Sequence, residues 1–190
     1  MQRIELVSLA AQPEMPWANG GGTTRQVAID PPAATLATGF RWRVSRARVA
    51  SDGPFSRLPG VDRSLWLLHG AGVRLEVDGR EVVLDRPRQR FDFAGEVAVT
   101  ARLLAGPIED LNVMVARDRV RARATIVELA AGPVVPVDCA QRLLLVLAGT
   151  AAVTGGPTAA AGDALRIEGL PAAAIEVHAA CLLDLQVWPG

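Results

Sequence analysis

WRVSRARVASDGPFSRLPGVDRSLWLLHGAGVRLEV, residues 42–77, packs strands and two distinctive turns into one continuous piece. Phe40, Trp42 and Val44 alternate with Arg41, Arg43 and Ser45, the period-2 pattern of a strand with one apolar and one polar face, so Arg43 and Ser45 point the same way. Asp52-Gly53-Pro54 and Pro59-Gly60 then punctuate the chain, because Gly tolerates positive φ and Pro fixes φ where a turn needs it. Leu65, Trp66, Leu67 and Leu68 form an apolar run closed by Gly70-Ala71-Gly72, after which Val73, Leu75 and Val77 resume the alternation. The pattern predicts a hairpin with a small-residue bend.

Upstream, Ile4, Leu6 and Leu9 suggest an opening strand, and Pro13 and Pro16 force an extended approach to Trp17-Ala18-Asn19-Gly20-Gly21-Gly22-Thr23-Thr24-Arg25. This reads as a glycine loop entering a strand in which Arg25, Val27 and Ile29 share a face. A phosphate cradle fails here: no Gly-Lys-Ser/Thr follows, and no amphipathic helix begins after the glycines to supply its amides. A tight turn without a ligand is the alternative.

Downstream, Asp78-Gly79 between Val77 and Val82 is a two-residue hairpin turn. Asp110, Asn112 and Met114 lie on one face of a later strand, and Leu111, Val113 and Val115 on the other. Arg117, Arg119, Arg121 and Arg123 recur at period 2, which reads as a solvated edge where charge discourages sheet-to-sheet pairing.

Composition excludes several classes. The 190 residues carry 20 basic and 20 acidic side chains, so net charge draws the chain toward neither nucleic acid nor an anionic membrane. The arginine series has no aromatic stacking partners or recognition helix nearby, which also argues against nucleic acid. The N-terminus lacks the apolar core and cleavage site of a signal peptide, and no run approaches the roughly 20 apolar residues of a bilayer span. A cytoplasmic location is expected, with Cys139 and Cys181 as reduced thiols.

An offset of about 79 residues aligns Leu65-Trp66-Leu67-Leu68-His69-Gly70 with Leu144-Leu145-Val146-Leu147-Ala148-Gly149, an internal repeat of apolar strand and small-residue bend. Two such copies without helical periodicity predict an all-β chain of two antiparallel jelly-roll-like barrels, divided at residues 1–116 and 117–190. Trp17 to Thr24, Trp42 to Ser45, Asp52 to Ser56, Pro59 to Arg63 and Asp110 to Met114, in this order, resemble the HutD/Ves family. That resemblance implies a bicupin associated in many bacteria with histidine utilisation. The family often has Lys where this chain has Ala18; if that Lys contacts ligand, charge recognition here differs.

Many cupins hold a metal with several histidines and a carboxylate. This sequence has only His69 and His178, far apart and outside any ligand spacing, so no metal or other cofactor is expected. Ser45 and Ser56 have no His placed beside them for nucleophilic catalysis. The residues that recur in the family-like motifs are hydrogen-bonding ones: Asn19, Thr23, Arg25, Arg43, Ser45, Asp62, Asp110 and Asn112. At one barrel mouth they would bind a small anionic metabolite, such as formiminoglutamate, formylglutamate or urocanate, with Arg43 and then Arg25 gripping a carboxylate. The role expected is modulation of a pathway without catalysis. Two alternatives stand beside it: a metal-independent isomerase or hydrolase using Asp62 or Asp110 as general base, and a structural protein whose barrels are filled. Assembly as a homodimer is left open.

Overall fold

The computed structural model describes residues 3–134, 137–169 and 175–190. In chain order the strands are β1 (Arg3–Val7), β2 (Glu14–Pro16), β3 (Gly22–Asp30), β4 (Trp42–Val49), β5 (Gly53–Pro54), β6 (Val61–His69), β7 (Val73–Val77) and β8 (Arg80–Leu84). They continue as β9 (Arg90–Ala94), β10 (Val99–Leu103), β11 (Ile108–Ala116), β12 (Val120–Pro133), β13 (Gln141–Val153), β14 (Thr158–Ala160), β15 (Ala164–Glu168) and β16 (Ile175–Pro189). Every pairing among them is antiparallel, and the chain is a bicupin, two jelly-roll-like barrels. No helix among the described residues is long and apolar enough to cross a membrane.

The first barrel, Pro13–Arg119, has a six-stranded sheet in the order β2-β3-β4-β11-β6-β9 and a four-stranded sheet in the order β5-β10-β7-β8. Val49, Leu65, Leu67 and Ile108 from the larger sheet meet Val73, Leu75, Leu84, Val99 and Ala101 from the smaller in one apolar cluster. Each fully buried Leu there contributes about 1.5–3 kcal/mol. The expected hairpin between the runs around Leu65 and Leu75 is not formed. β6 pairs with β11 and β9, while β7 pairs with β10 and β8, so Gly70-Ala71-Gly72 carries the chain from one sheet to the other. The glycines permit this crossing: both have positive φ, and a Cβ on Gly70 would sit 2.8 Å from the Pro107 carbonyl oxygen. The Asp78-Gly79 hairpin does form, joining β7 to β8 with both turn residues at positive φ.

A second difference lies in β3. Its pairing with β4 shifts register between Gln26 and Ala28, a bulge at Val27. Thr24 and Gln26 share a face with Ala47 and Ser45; beyond the bulge the phase inverts, and Ile29 joins Arg43 on that face. Arg25, opposite Arg46, therefore points away from Ile29 instead of with it.

The second barrel comprises Met1–Gln12 and Val120–Gly190. Its sheet runs β1-β15-β13-β16-β12, with β14 also on β13. The division expected at residues 116 and 117 thus falls at 119 and 120, and the opening strand belongs to the later half because β1 pairs with β15 from Arg3↔Glu168 to Val7↔Ala164. Leu144, Val146, Ala151, Leu165, Ile167, Ile175, Val177 and Leu182 fill the interior of this barrel. The repeat's second glycine bend behaves differently from the first: β13 runs on through Gly149 to Val153, staying on β16 with register shifts either side of Ala148. β12 is an edge strand with Arg121 and Arg123 exposed, as the charge pattern predicts.

Candidate functional site

Three adjacent strands of the first barrel place their inward side chains in rows. Arg43, Met114 and Arg63 are cross-strand partners on β4, β11 and β6; Ser45, Asn112 and Leu65 form the next row, and Ala47, Asp110 and Leu67 the third. With strands about 4.8 Å apart, the two arginines start roughly 10 Å from each other across Met114. Apart from Leu65 and Leu67, which belong to the apolar core, these residues floor a cavity of ≈ 480 Å³. Its walls are Pro54, Phe55, Ser56 and Leu58 on one side and Trp17, Ala18 and Asn19 on the other, with Met15 and Leu36 exposed at its edge.

The glycine motif shapes that second wall. The Gly21 amide donates to Asn19 Oδ1 at 2.9 Å, and Gly20 takes positive φ. A Cβ on Gly22 would lie 2.3 Å from the Arg48 carbonyl oxygen and 3.2 Å from the Trp17 ring, so glycine is required for the close approach of loop to β4. Trp17 Nε1 donates to Thr24 Oγ1 at 2.8 Å, fixing the indole at the cavity. The motif serves a close-packed wall.

The polar groups inside are almost wholly buried: Arg43 is 4% exposed, Arg63 6%, Asp110 3% and Asn112 6%. Arg43 Nε donates to Gln26 Oε1 at 2.9 Å and its Nη1 to Ser45 Oγ at 3.2 Å, with Met114 Sδ at 3.9 Å. Arg63 Nη1 donates to the Ser56 carbonyl oxygen at 3.1 Å, and its guanidinium lies over the Phe93 and Phe55 rings, 4.8 and 5.4 Å from their centroids. Both arginines are thus held by neutral acceptors and rings. Burial lowers the pKa of both, Arg63 to about 10, where Asp110 acts to raise it and Arg43 to lower it further. Desolvation pushes the Asp110 carboxyl up to about 7, against the pull of Arg63 and with a small push from Glu109.

Of the eight residues singled out from sequence, Asn19, Arg43, Ser45, Asp110 and Asn112 line this cavity. Thr23, Arg25 and Asp62 do not. Thr23 and Arg25 sit opposite Arg48 and Arg46 on the outward face of β3, and Arg25 pairs with Glu14. Asp62 is on the outward face of β6, where it accepts from Arg117 Nε at 2.9 Å in an exposed cluster with Glu96. Its neighbour Arg63 is the cavity residue that sequence reasoning missed. The available signal was phase: Arg63 alternates with the inward Leu65 and Leu67, and Asp62 does not.

The donor set does not suit a metal. A cation in this cavity would face two guanidinium groups with one carboxylate and no imidazole, and among the described residues no three His, Cys, Asp or Glu side chains converge elsewhere. His69 and His178 are both exposed. Arg-rich, apolar-walled and concave, the cavity is instead suited to a small organic anion.

Comparison with known proteins agrees with this architecture. The family model described as HutD matches residues 9–183. A Pseudomonas putida protein described as an uncharacterized 21.2 kDa protein in the hutC 3' region is 39% identical over 123 residues, 65% of this chain and 64% of its own length. Protein Ves of Citrobacter koseri is 39% identical over 127 residues, again 64% of its length, so the match spans just under two thirds of these relatives. Among solved structures, HutD from Pseudomonas fluorescens SBW25 in a formate condition superposes with a TM-score of 0.84 at 31% identity, covering 99% of this chain and 100% of that one. A conserved protein of unknown function from Pseudomonas aeruginosa PAO1 gives 0.84 and 31%, covering 98% and 99%. The Escherichia coli pirin YhhW, solved in complex with nickel(II), shares the fold at a TM-score of 0.74 and 10% identity, covering 98% and 99%. In sequence over most of its length and in both of its barrels, this chain belongs to the HutD family.

Proposed function

We propose that the first barrel binds a small carboxylate-bearing metabolite and that the protein modulates a pathway by that binding. One observation carries the reading: Arg43 and Arg63 are buried against a cavity, and neither forms an ion pair with a carboxylate among the described residues. Burying an uncompensated charge costs several kcal/mol, a cost that an anionic ligand gripped by both guanidinium groups would offset. The HutD family context of histidine utilisation suggests intermediates of histidine breakdown: formiminoglutamate, formylglutamate and urocanate. Titration calorimetry with these three should give saturable binding to at least one, with a matching rise in melting temperature. Absence of binding to all of them at millimolar concentration would count decisively against the reading.

A second reading has one observation in its favour. A carboxyl raised to about 7 in a cavity is suited to proton transfer at neutral pH, so Asp110 could serve as the general base of a metal-independent isomerase or hydrolase. Asp62, on the outer surface, has no such access. Turnover of a bound compound that disappears in Asp110→Asn would establish the enzyme; binding without turnover favours the receptor.

A further inference from the structure

Three polar atoms around the cavity are buried without a hydrogen-bond partner: Arg63 Nε, Asp110 Oδ1 and Asn112 Oδ1. One is a donor and belongs to the anion-binding half of the site. The other two are oxygens on side chains two residues apart on β11, facing the same interior. Buried polar groups in folded proteins are normally satisfied, and two adjacent unsatisfied acceptors in a cavity wall mark a place where a donor belongs. A ligand made only of carboxylates would present oxygens to these oxygens. It would satisfy the arginines and leave Asp110 and Asn112 worse off than before.

Charge points the same way. Arg63 on β6 acts directly on Asp110, and Arg43 on β4 lines the same cavity and acts on Arg63; Glu109 is the neighbour of Asp110 on β11, and the walls from Pro54 to Ser56 and from Trp17 to Asn19 contribute no titratable side chain. With Asp110 ionised, the cavity carries two positive charges and one negative. Its complement is a dicarboxylate that also bears one positive charge.

We propose that Asp110 and Asn112 form a nitrogen-donor subsite, that the ligand is a small carboxylate carrying a cationic nitrogen of the ammonium or amidinium type, and that Asp110 determines this preference. The inference rests on the carboxylate-binding reading and deepens it. It also fixes the proton balance. Because the Asp110 carboxyl titrates at about 7, it is divided between its two forms at neutral pH. A cationic nitrogen beside it favours the carboxylate and drives release of up to about half a proton per ligand bound, whereas a plain dicarboxylate favours the acid and drives uptake.

The test is calorimetric titration of the wild-type protein at pH 7 with glutarate, glutamate and formiminoglutamate, in two buffers of different ionisation enthalpy. The expected result is that at least one of the nitrogen compounds binds tenfold or more tighter than glutarate and releases protons, while any glutarate binding takes protons up. In Asp110→Asn the preference should fall to within about twofold, with glutarate bound as well as or better than by the wild type. Glutarate binding as tightly as both nitrogen compounds, with the same sign of proton linkage, overturns the subsite while leaving the carboxylate reading intact. Failure of all three to bind overturns the subsite; the carboxylate reading falls with it only when formylglutamate and urocanate fail to bind as well. The proton count is read on the wild type, so the outcome does not depend on the variant folding.

Discussion

The two barrels bury arginine in opposite ways. In the second, Arg142 on β13 meets Asp184 on β16 through two parallel hydrogen bonds, Nε to Oδ1 at 2.8 Å and Nη2 to Oδ2 at 2.6 Å, and Gln186 Nε2 donates to the same Oδ2 at 2.8 Å. The charges are compensated within the half that also holds the apolar cluster of Leu144, Val146, Leu165 and Leu182. In the first barrel, Arg43 and Arg63 meet a Gln, a Ser, a backbone carbonyl and two rings, and the buried carboxyl in the cavity wall has no hydrogen bond to Oδ1. A closed bidentate pair specifies packing; guanidinium groups left short of their natural partner are poised for one that arrives from outside. The two halves thus share a fold, and under the proposed function they divide its tasks, one closed and one open to a ligand.

Breaking the closed pair should have the largest effect. Asp184→Ala leaves Arg142 buried without its carboxylate and should lower stability by about 3–5 kcal/mol in urea denaturation. Ligand affinity in the surviving folded protein should not change. If affinity fell with the folded fraction accounted for, the division of tasks between barrels would be wrong.

The next effect is on pH dependence. Asp110 has a folded pKa of about 7, above the ordinary value of 3.8, so the native state holds its proton more tightly than the unfolded chain. The stability associated with that proton is complete below about pH 4 and is lost as pH rises to about 7, up to about 4 kcal/mol in all. Asp110→Asn removes the ionisation, so its stability relative to the wild type should grow between pH 4 and 7 and level off above. A flat difference across that range would show that Asp110 is not desolvated as described.

Opening the first barrel's charges should cost binding and spare the fold. Arg43→Gln and Arg63→Gln should each weaken carboxylate binding by about 2–4 kcal/mol, roughly 30- to 1000-fold, because a charged hydrogen-bonded partner is lost. Their melting temperatures should stay within a few degrees of the wild type. Destabilisation on the scale of Asp184→Ala would make them structural, like Arg142.

The smallest effect sharpens the same contrast at the cavity wall. Ala18→Lys adds a cation beside the anion-binding arginines and should tighten carboxylate binding by less than about tenfold, with the gain reduced in high salt. Asp62→Asn, on the outer surface, should leave ligand affinity unchanged.

Much of the site could be read from alternation alone. Arg43 with Ser45, and Asp110 with Asn112 and Met114, share faces because strand side chains repeat at period 2, and the structure turns both sets into the cavity. Arg63 is legible by the same rule, in phase with Leu65 and Leu67, whereas Asp62 has the opposite phase. Arg25 was not legible. The bulge at Val27 inverts the phase of β3, and a bulge is a property of the strand's partner as much as of its own residues.

What the sequence by itself determined is local: strand periodicity, the Asp78-Gly79 hairpin, glycine where backbone approaches backbone, and the scarcity of histidine that leaves no imidazole for a metal centre. These follow from the covalent character of each residue and its near neighbours. Only the tertiary structure decided that Gly70 to Gly72 passes from one sheet to the other, that β1 joins β15 in the later barrel, and that Asp62 meets Arg117 on the outside while Arg63 turns in. Each of those outcomes depends on which distant strand lies alongside. Pairing energy is shared between two segments, and neither carries it alone.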